Sequence, residues 1–144
     1  MLRTRISSIA CFAIVAIVCM LSLIVISGAD AAGGNALYPG QSLQPGWSLF
    51  SQDGRFQFIY QTDGNLVLYQ QGVPIWNTNT ITSPGEAVMQ TDGNFVIYWP
   101  NGTPYWATNT AGNEGSYLVV QNDGNVVIYN KNNSPLWSTG TCCR

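Results

Sequence analysis

From Phe56 onward the chain alternates apolar and polar residues in short runs broken by Gly, Pro, Asn and Asp. Phe56-Gln57-Phe58-Ile59-Tyr60-Gln61 is aromatic and β-branched, the composition that suits a pleated, half-buried strand. Asp63-Gly64 signals a hairpin, and a three-residue loop with Gly in the left-handed position fits it. Asn65 to Tyr69 is the returning strand. Gln71-Gly72-Val73-Pro74 predicts a second turn, and Ile75-Trp76-Asn77-Thr78 a third strand. No stretch of this region has a helical period, and the breakers recur too often for helices. The domain is expected to be all-β.

The same pattern then recurs. Gln61-Thr62-Asp63-Gly64-Asn65-Leu66-Val67-Leu68-Tyr69 is followed by Gln90-Thr91-Asp92-Gly93-Asn94-Phe95-Val96-Ile97-Tyr98 and by Gln121-Asn122-Asp123-Gly124-Asn125-Val126-Val127-Ile128-Tyr129. Each copy leads through a turn to Pro-x-Trp: Pro74-Ile75-Trp76, Pro104-Tyr105-Trp106 and Pro135-Leu136-Trp137. A polar tetrad comes next, Asn77-Thr78-Asn79-Thr80, Ala107-Thr108-Asn109-Thr110 or Ser138-Thr139-Gly140-Thr141. Six identical residues at one spacing, three times over, mark an internal repeat.

Alternation separates two faces in each copy. Leu66 and Leu68, Phe95 and Ile97, and Val126 and Ile128 form an apolar face that belongs to a core. The opposite face carries Gln, Asn, Val and Tyr, with Asp at the turn. Three such units burying Trp76, Trp106 and Trp137 at their centre would place three sheets around one core.

Composition removes many functions. The 144 residues contain no His, which excludes a Ser-His-Asp triad, a His-ligated zinc and an imidazole proton shuttle. Charged residues make up 8%, and the formal charge is −2, so the chain lacks the basic footprint of a nucleic-acid binder. Lys131 is the only lysine, and no paired carboxylates have acid/base spacing, which argues against an enzyme.

The first residues read differently. Arg3 and Arg5, the apolar run Ile9 to Ile26, and Ala29-Asp30-Ala31 have the order of a secretory signal peptide. Cleavage is expected near Ala31 or Ala32. An uncleaved anchor is the alternative, since roughly 18 apolar residues can span a bilayer. Either way, residues 32–141 form a domain expected outside the cytoplasm. Without residues 1–31, six acids and three bases remain, a charge of −3. Cys11 and Cys19 go too, leaving only Cys142 and Cys143 in a short tail, 142–144, so no internal disulfide framework is available.

The polar face has the chemistry of a sugar site. A turn alone explains Gly64, Gly93 and Gly124, but not the fixed recurrence of Gln, Asp, Asn, Val and Tyr. Carboxylate, amides and a phenol mix donors and acceptors, which vicinal sugar hydroxyls need. A small Val leaves room for the C–H face of a ring. Calcium ligation by Asp63, Asp92 and Asp123 is disfavoured, because one carboxylate per site is sparse for that ion.

On these residues the sequence resembles the bulb-type (monocot) mannose-binding lectins, whose sugar motif is Gln-x-Asp-x-Asn-x-Val-x-Tyr. All three copies match it at every fixed position, and the likeness runs from Asn35-Ala36-Leu37-Tyr38 to Thr141. The resemblance implies a β-prism II fold, three four-stranded sheets about a pseudo-three-fold axis. It also implies metal-free binding of α-D-mannose and mannose-rich glycans, without a cofactor. Asp63 and Asn65 would meet the 2-hydroxyl, Gln61 the 3-hydroxyl and Tyr69 the 4-hydroxyl, with Val67 against the ring carbons. The same roles would fall to Gln90, Asp92, Asn94, Val96 and Tyr98, and to Gln121, Asp123, Asn125, Val127 and Tyr129. A homodimer or homotetramer by exchange of the C-terminal strand, around Leu136 to Thr141, would follow, and Cys142 and Cys143 could bridge chains or remain free. A protein-interaction module with dead pockets is the competing reading, though relatives of that kind lose motif residues and this chain has lost none.

The chain departs from the family at one point. Many members carry a disulfide at the positions that look like Gly64 and Gly85 here, and its loss removes about 2–4 kcal/mol of stabilisation. Asn101-Gly102-Thr103 and Asn132-Asn133-Ser134 are glycosylation sequons, each followed by Pro. Trp99, before Pro100, either caps its hairpin or extends the second pocket toward a larger glycan.

Overall fold

A computed structural model describes residues 33–143. The expected signal peptide, Cys11 and Cys19 lie outside the described residues. The described residues hold twelve strands, β1 Ala36–Leu37, β2 Ser42–Leu43, β3 Ser48–Phe50, β4 Phe56–Tyr60, β5 Leu66–Gln70, β6 Val73–Asn77, β7 Ala87–Met89, β8 Phe95–Tyr98, β9 Pro104–Ala107, β10 Tyr117–Val120, β11 Val126–Tyr129 and β12 Pro135–Ser138. They form three four-stranded sheets in the orders β3-β4-β5-β6, β2-β7-β8-β9 and β1-β10-β11-β12, here called sheets I, II and III. Every pairing is antiparallel. Each repeat thus supplies three strands, and the short strands β3, β2 and β1 each complete one sheet.

Registers show the two faces. In sheet I, Leu49, Phe58, Leu68 and Trp76 lie opposite one another across four strands. In sheet II the row is Leu43, Ala87, Ile97 and Trp106, and in sheet III Leu37, Leu118, Ile128 and Trp137. These rows, apart from the tryptophans, are fully buried and share one core with Phe56, Tyr60, Met89 and Phe95. Burying apolar side chains of this size stabilises by roughly 1.5–3 kcal/mol each relative to exposure, an upper range because unfolded chains are already partly compact. Tyr60 Oη is the exception inside: it is buried with no hydrogen-bond partner among the described residues, and burial raises its pKa.

The tryptophans differ from expectation. Trp76, Trp106 and Trp137 do meet, edge to face, with ring centroids 5.8–6.3 Å apart. They are only partly buried and pack against the core instead of forming its centre. Phe58 and Phe95 occupy the interior (centroids 6.5 Å apart), and Phe58 touches Trp76 from within.

The second turn of the first repeat is shorter than the sequence suggests. Gln71 and Gly72 both have positive φ (47° and 84°), so two residues suffice, and Val73 and Pro74 already belong to β6. Pro74 is tolerated there because β6 is an outer strand and the register shifts beside it, between Leu68 and Tyr69. The C-terminal strand β12 pairs with β11 and completes sheet III.

Candidate functional site

Each motif begins at a hairpin turn whose geometry follows from its sequence. Gly64 N–H donates to Gln61 O at 3.0 Å, and Gln61 N–H to Asn65 O at 2.9 Å. Gly64 takes φ +83°, as the three-residue loop requires. Asp63 Oδ1 accepts the Asn65 N–H at 2.9 Å, closing the turn from the side-chain direction. Asp92 and Asp123 do the same for Asn94 and Asn125 at 2.9 Å.

A second element then locks each turn. Asn65 Oδ1 accepts from Thr78 Oγ1 and Thr80 N, both at 3.2 Å, while Thr80 Oγ1 donates to Gly64 O at 2.8 Å. Thr108 and Thr110 hold Asn94 and Gly93 in this way, and Thr139 and Thr141 hold Asn125 and Gly124. The polar tetrad after each Trp therefore clamps the turn through its Thr-x-Thr. The sequence shows that tetrad in all three copies without revealing its role. Its recurrence was the available signal.

The clamp settles which way each Asn amide faces. A backbone N–H can only donate, so the atom that meets Thr80 N must be the oxygen. The Asn65 amino group is left without a partner among the described residues, as are Asp63 Oδ2 and Gln61 Oε1, and the same holds in the other copies. At the far end, Gln61 Nε2 donates to Tyr69 Oη at 2.8 Å and Gln121 Nε2 to Tyr129 Oη at 2.7 Å; Gln90 and Tyr98 make the same contact. Each Tyr hydroxyl keeps its own proton to donate. All five motif residues come together on the outer face of each sheet, and the floor is Val67, Val96 or Val127, each only 3% exposed.

The chain beyond each clamp lies on the turn. Thr82 N–H donates to Asp63 O, Asn113 N–H to Asp92 O and Cys143 N–H to Asp123 O, at 2.8–2.9 Å. The expected tail thus serves the third turn through Cys143. Both cysteines are exposed and free, and Cys142 and the Asp123 carboxylate raise the pKa of the Cys143 thiol. At Gly64 a Cβ would lie 2.6 Å from Thr82 O, and at Gly85 2.4 Å from Tyr98 O. Backbone therefore crowds both positions.

No protein-family model matches the chain. A mannose-specific lectin of Aloe arborescens is 40% identical over 89 residues, which cover 60% of this chain and 80% of that protein. The chain belongs to the bulb-type mannose-binding lectin family. A mannose-specific lectin of Narcissus pseudonarcissus is 48% identical over 68 residues, and the chain spans 61% of its length. Among solved structures, monomeric monocot mannose-binding lectins from Gastrodia elata superpose with a TM-score of 0.70 at 40% identity, over 76% of this chain and 99% of theirs. Snowdrop (Galanthus nivalis) agglutinin complexed with methyl-α-D-mannoside superposes with a TM-score of 0.62 at 45% identity, over 74% and 96%. The three-sheet architecture is accordingly the β-prism II of the bulb lectins.

Within this bulb-type lectin the three sites share a motif but not a border. Beside Tyr69 stand Gln57 and Phe50, and beside Tyr129 stands Tyr117, stacked on it and on Tyr38 with centroids 5.9 Å apart in both pairs. Beside Tyr98 are Glu86, Gln44 and Trp99. Trp99 is 40% exposed and packs edge-on to Tyr105 at 5.2 Å.

Proposed function

We propose that this protein is a carbohydrate-binding lectin that recognises α-linked mannose on glycans through up to three metal-independent sites per chain. The observation that carries this reading is the set of polar atoms left over once the fold is satisfied. At each site a carboxylate oxygen, an amide NH₂, an amide oxygen and a phenol proton face outward over a valine floor. A hydroxyl both donates and accepts, so an Asp oxygen beside an Asn amino group can hold one sugar hydroxyl from two sides. The orientation forced by Thr80 explains why Asn serves there. An Asp would satisfy the clamp but offer the sugar only acceptors.

Each neutral hydrogen bond contributes about 0.5–1.5 kcal/mol net, so one shallow site is expected to bind in the millimolar range. Several sites engaging one glycan surface raise avidity by ~10²–10⁴. A dimer by exchange of β12 would keep the β11–β12 register and double the number of sites; light scattering that shows a monomer in reducing and oxidising buffer would remove it. The leader at residues 1–31 places the protein outside the cytoplasm in this reading, and recovery of Met1 from mature material would refute that.

Calorimetry and capture on mannan resin test the central reading. Binding of methyl-α-D-mannoside, release from resin by free mannose, and indifference to a chelator are expected. A folded protein that ignores mannan refutes the assignment.

A further inference from the structure

A cavity adjoins the second site. It has a volume of about 550 Å³ and is lined by Gln44, Gly85, Glu86, Tyr98, Trp99 and Pro100. That volume lies within the ~300–1,000 Å³ typical of small-ligand sites. Tyr98 belongs both to this cavity and to the second motif, so the two spaces share a wall.

The lining combines a flat apolar ring with hydroxyl-binding groups. Trp99 keeps 40% of its surface exposed. Its contact with Tyr105 is made with the rings at 72°, an edge-to-face arrangement that occupies at most one face of the indole. The loop that carries it is tightly closed. Trp99 N–H donates to Thr103 O and Gly102 N–H to Trp99 O, both at 2.9 Å, and Pro100 fixes the backbone between them. A platform held this way loses little freedom when a ligand lands on it.

Glu86 has no cationic partner: among the described residues the one ion pair is Arg55–Asp53. Its only side-chain contact is a long one, Gln44 Nε2 to Oε2 at 3.4 Å. The carboxylate is therefore free to accept from a pair of hydroxyls; Gln44 Nε2 also donates to Ser42 Oγ at 3.2 Å, so Gln44 offers a ligand its free Oε1 as a further acceptor. Gly85 makes the juxtaposition possible. With any larger residue, the segment bearing Glu86 could not approach Tyr98 O and Trp99 so closely, because a Cβ would sit 2.4 Å from that oxygen.

The other sites lack the combination. Where the second repeat has Trp99, the first has Gln70 and the third Asn130; where it has Glu86, the others have Gln57 and Tyr117.

We propose that the second site is a two-ring site, in which the sugar residue next to the mannose in the motif pocket stacks on Trp99 and hydrogen-bonds to Glu86 and Gln44. This rests on the mannose reading of the motif. It assigns to the second site alone a preference for an α-linked oligomannoside over the monosaccharide. The first and third sites treat both alike.

The test follows the Trp99 indole N–H by ¹H–¹⁵N spectroscopy, assigned with Trp99→Phe, during titration with methyl-α-D-mannoside and then with α-linked mannobiose and mannotriose. The longer sugars should shift the Trp99 signal and bind the second site about tenfold tighter than the monosaccharide, a gain of the size that one added stack and two hydrogen bonds allow. Trp99→Ala should abolish that gain and leave monosaccharide affinity at wild-type level; Trp99→Phe should keep part of it, and Glu86→Gln should reduce it. Mannotriose binding no tighter than the monosaccharide at the second site, or a gain that survives Trp99→Ala, overturns the two-ring proposal and leaves the mannose reading standing. Failure of the wild-type protein to bind any of the three sugars overturns both.

Discussion

The turn end and the tyrosine end of each site meet a sugar with similar chemistry but stand in different relations to the fold. At the turn end Asp63 and Asn65 each commit one oxygen to the protein, to Asn65 N–H and to the Thr78/Thr80 clamp. At the tyrosine end the side chains of Gln61 and Tyr69 bond only to each other, on a half-exposed surface. One end is architecture that leaves two polar atoms over for a ligand. The other is a surface pair that the fold does not need. A recurring motif residue can thus be required for two reasons at once, and substitutions can separate them.

The largest effect is expected from Gly64→Ala. The new Cβ would lie 2.6 Å from Thr82 O at a φ of +83°, where backbone must move. Strain and overpacking together should cost about 2–4 kcal/mol, visible as a lower denaturant midpoint. A midpoint unchanged from wild type would mean that the turn is softer than its contacts imply.

Asn65 splits the two roles. Asn65→Ala leaves the buried Thr80 N–H without its acceptor, which should cost about 1–3 kcal/mol of stability as well as the first sugar site. Asn65→Asp keeps the acceptor, so most of the stability should remain while that site is still lost, for want of the amino group and with a second charge beside Asp63. Paired melting and calorimetry distinguish them. If the Asp variant binds mannoside at the first site like wild type, the amide has no part in recognition.

Tyr69→Phe probes the other end. Gln61 can turn to water, so stability should stay within about 0.5 kcal/mol of wild type. Binding at the first site should weaken by about 0.5–1.5 kcal/mol. A lowered melting temperature would place this end, too, in the architecture.

The smallest effect lies away from the sites. The Asp53 carboxyl is held at about 2, below its ordinary 3.8, by the Ser51 hydroxyl and then by Arg55. Arg55 Nη2 also donates to Asn122 O in the third turn at 2.6 Å. Since the folded-state pKa is the lower one, this contribution is complete above about pH 4 and disappears as pH falls through about 2. Wild type and Asp53→Asn should therefore differ slightly in denaturant midpoint near neutrality and converge in acid. A gap that stays constant with pH would assign the difference to something other than this carboxyl.

The hairpins were legible because Asp-Gly and Gly-x-Pro punctuation is local chemistry, and the core rows because alternation at period two needs no tertiary information. The site residues were legible as a set, since nothing about a turn demands Gln, Val and Tyr at fixed offsets. The Thr-x-Thr clamp was not. Its meaning depends on the end of β6 coming back over the β4–β5 turn, a contact between residues such as Thr80 and Gly64 that no periodicity reveals. The borders were hidden for the same reason. Glu86, Gln44 and Trp99 are far apart in the chain and meet only through the register of sheet II. The tryptophans were overestimated as core because size suggests burial, whereas their mutual edge-to-face packing satisfies them without full enclosure.

The short strands β1, β2 and β3 follow one another within a few residues, yet each is stitched into a different sheet. Ala36 pairs with Val119, far later in the chain than Ser48 with Ile59. Sheet I can therefore close first, while sheets II and III wait for later repeats, and the molecule is assembled in time from β3 outwards to β1. At about 5–20 residues per second, a ribosome leaves β1 waiting roughly 4–17 seconds for its partner. Pairings of such long separation also put refolding in the slow, millisecond-to-second class of β proteins. During that interval the earliest-made strand has an open edge, which makes the nascent chain, more than the finished lectin, the form most exposed to mispairing and aggregation.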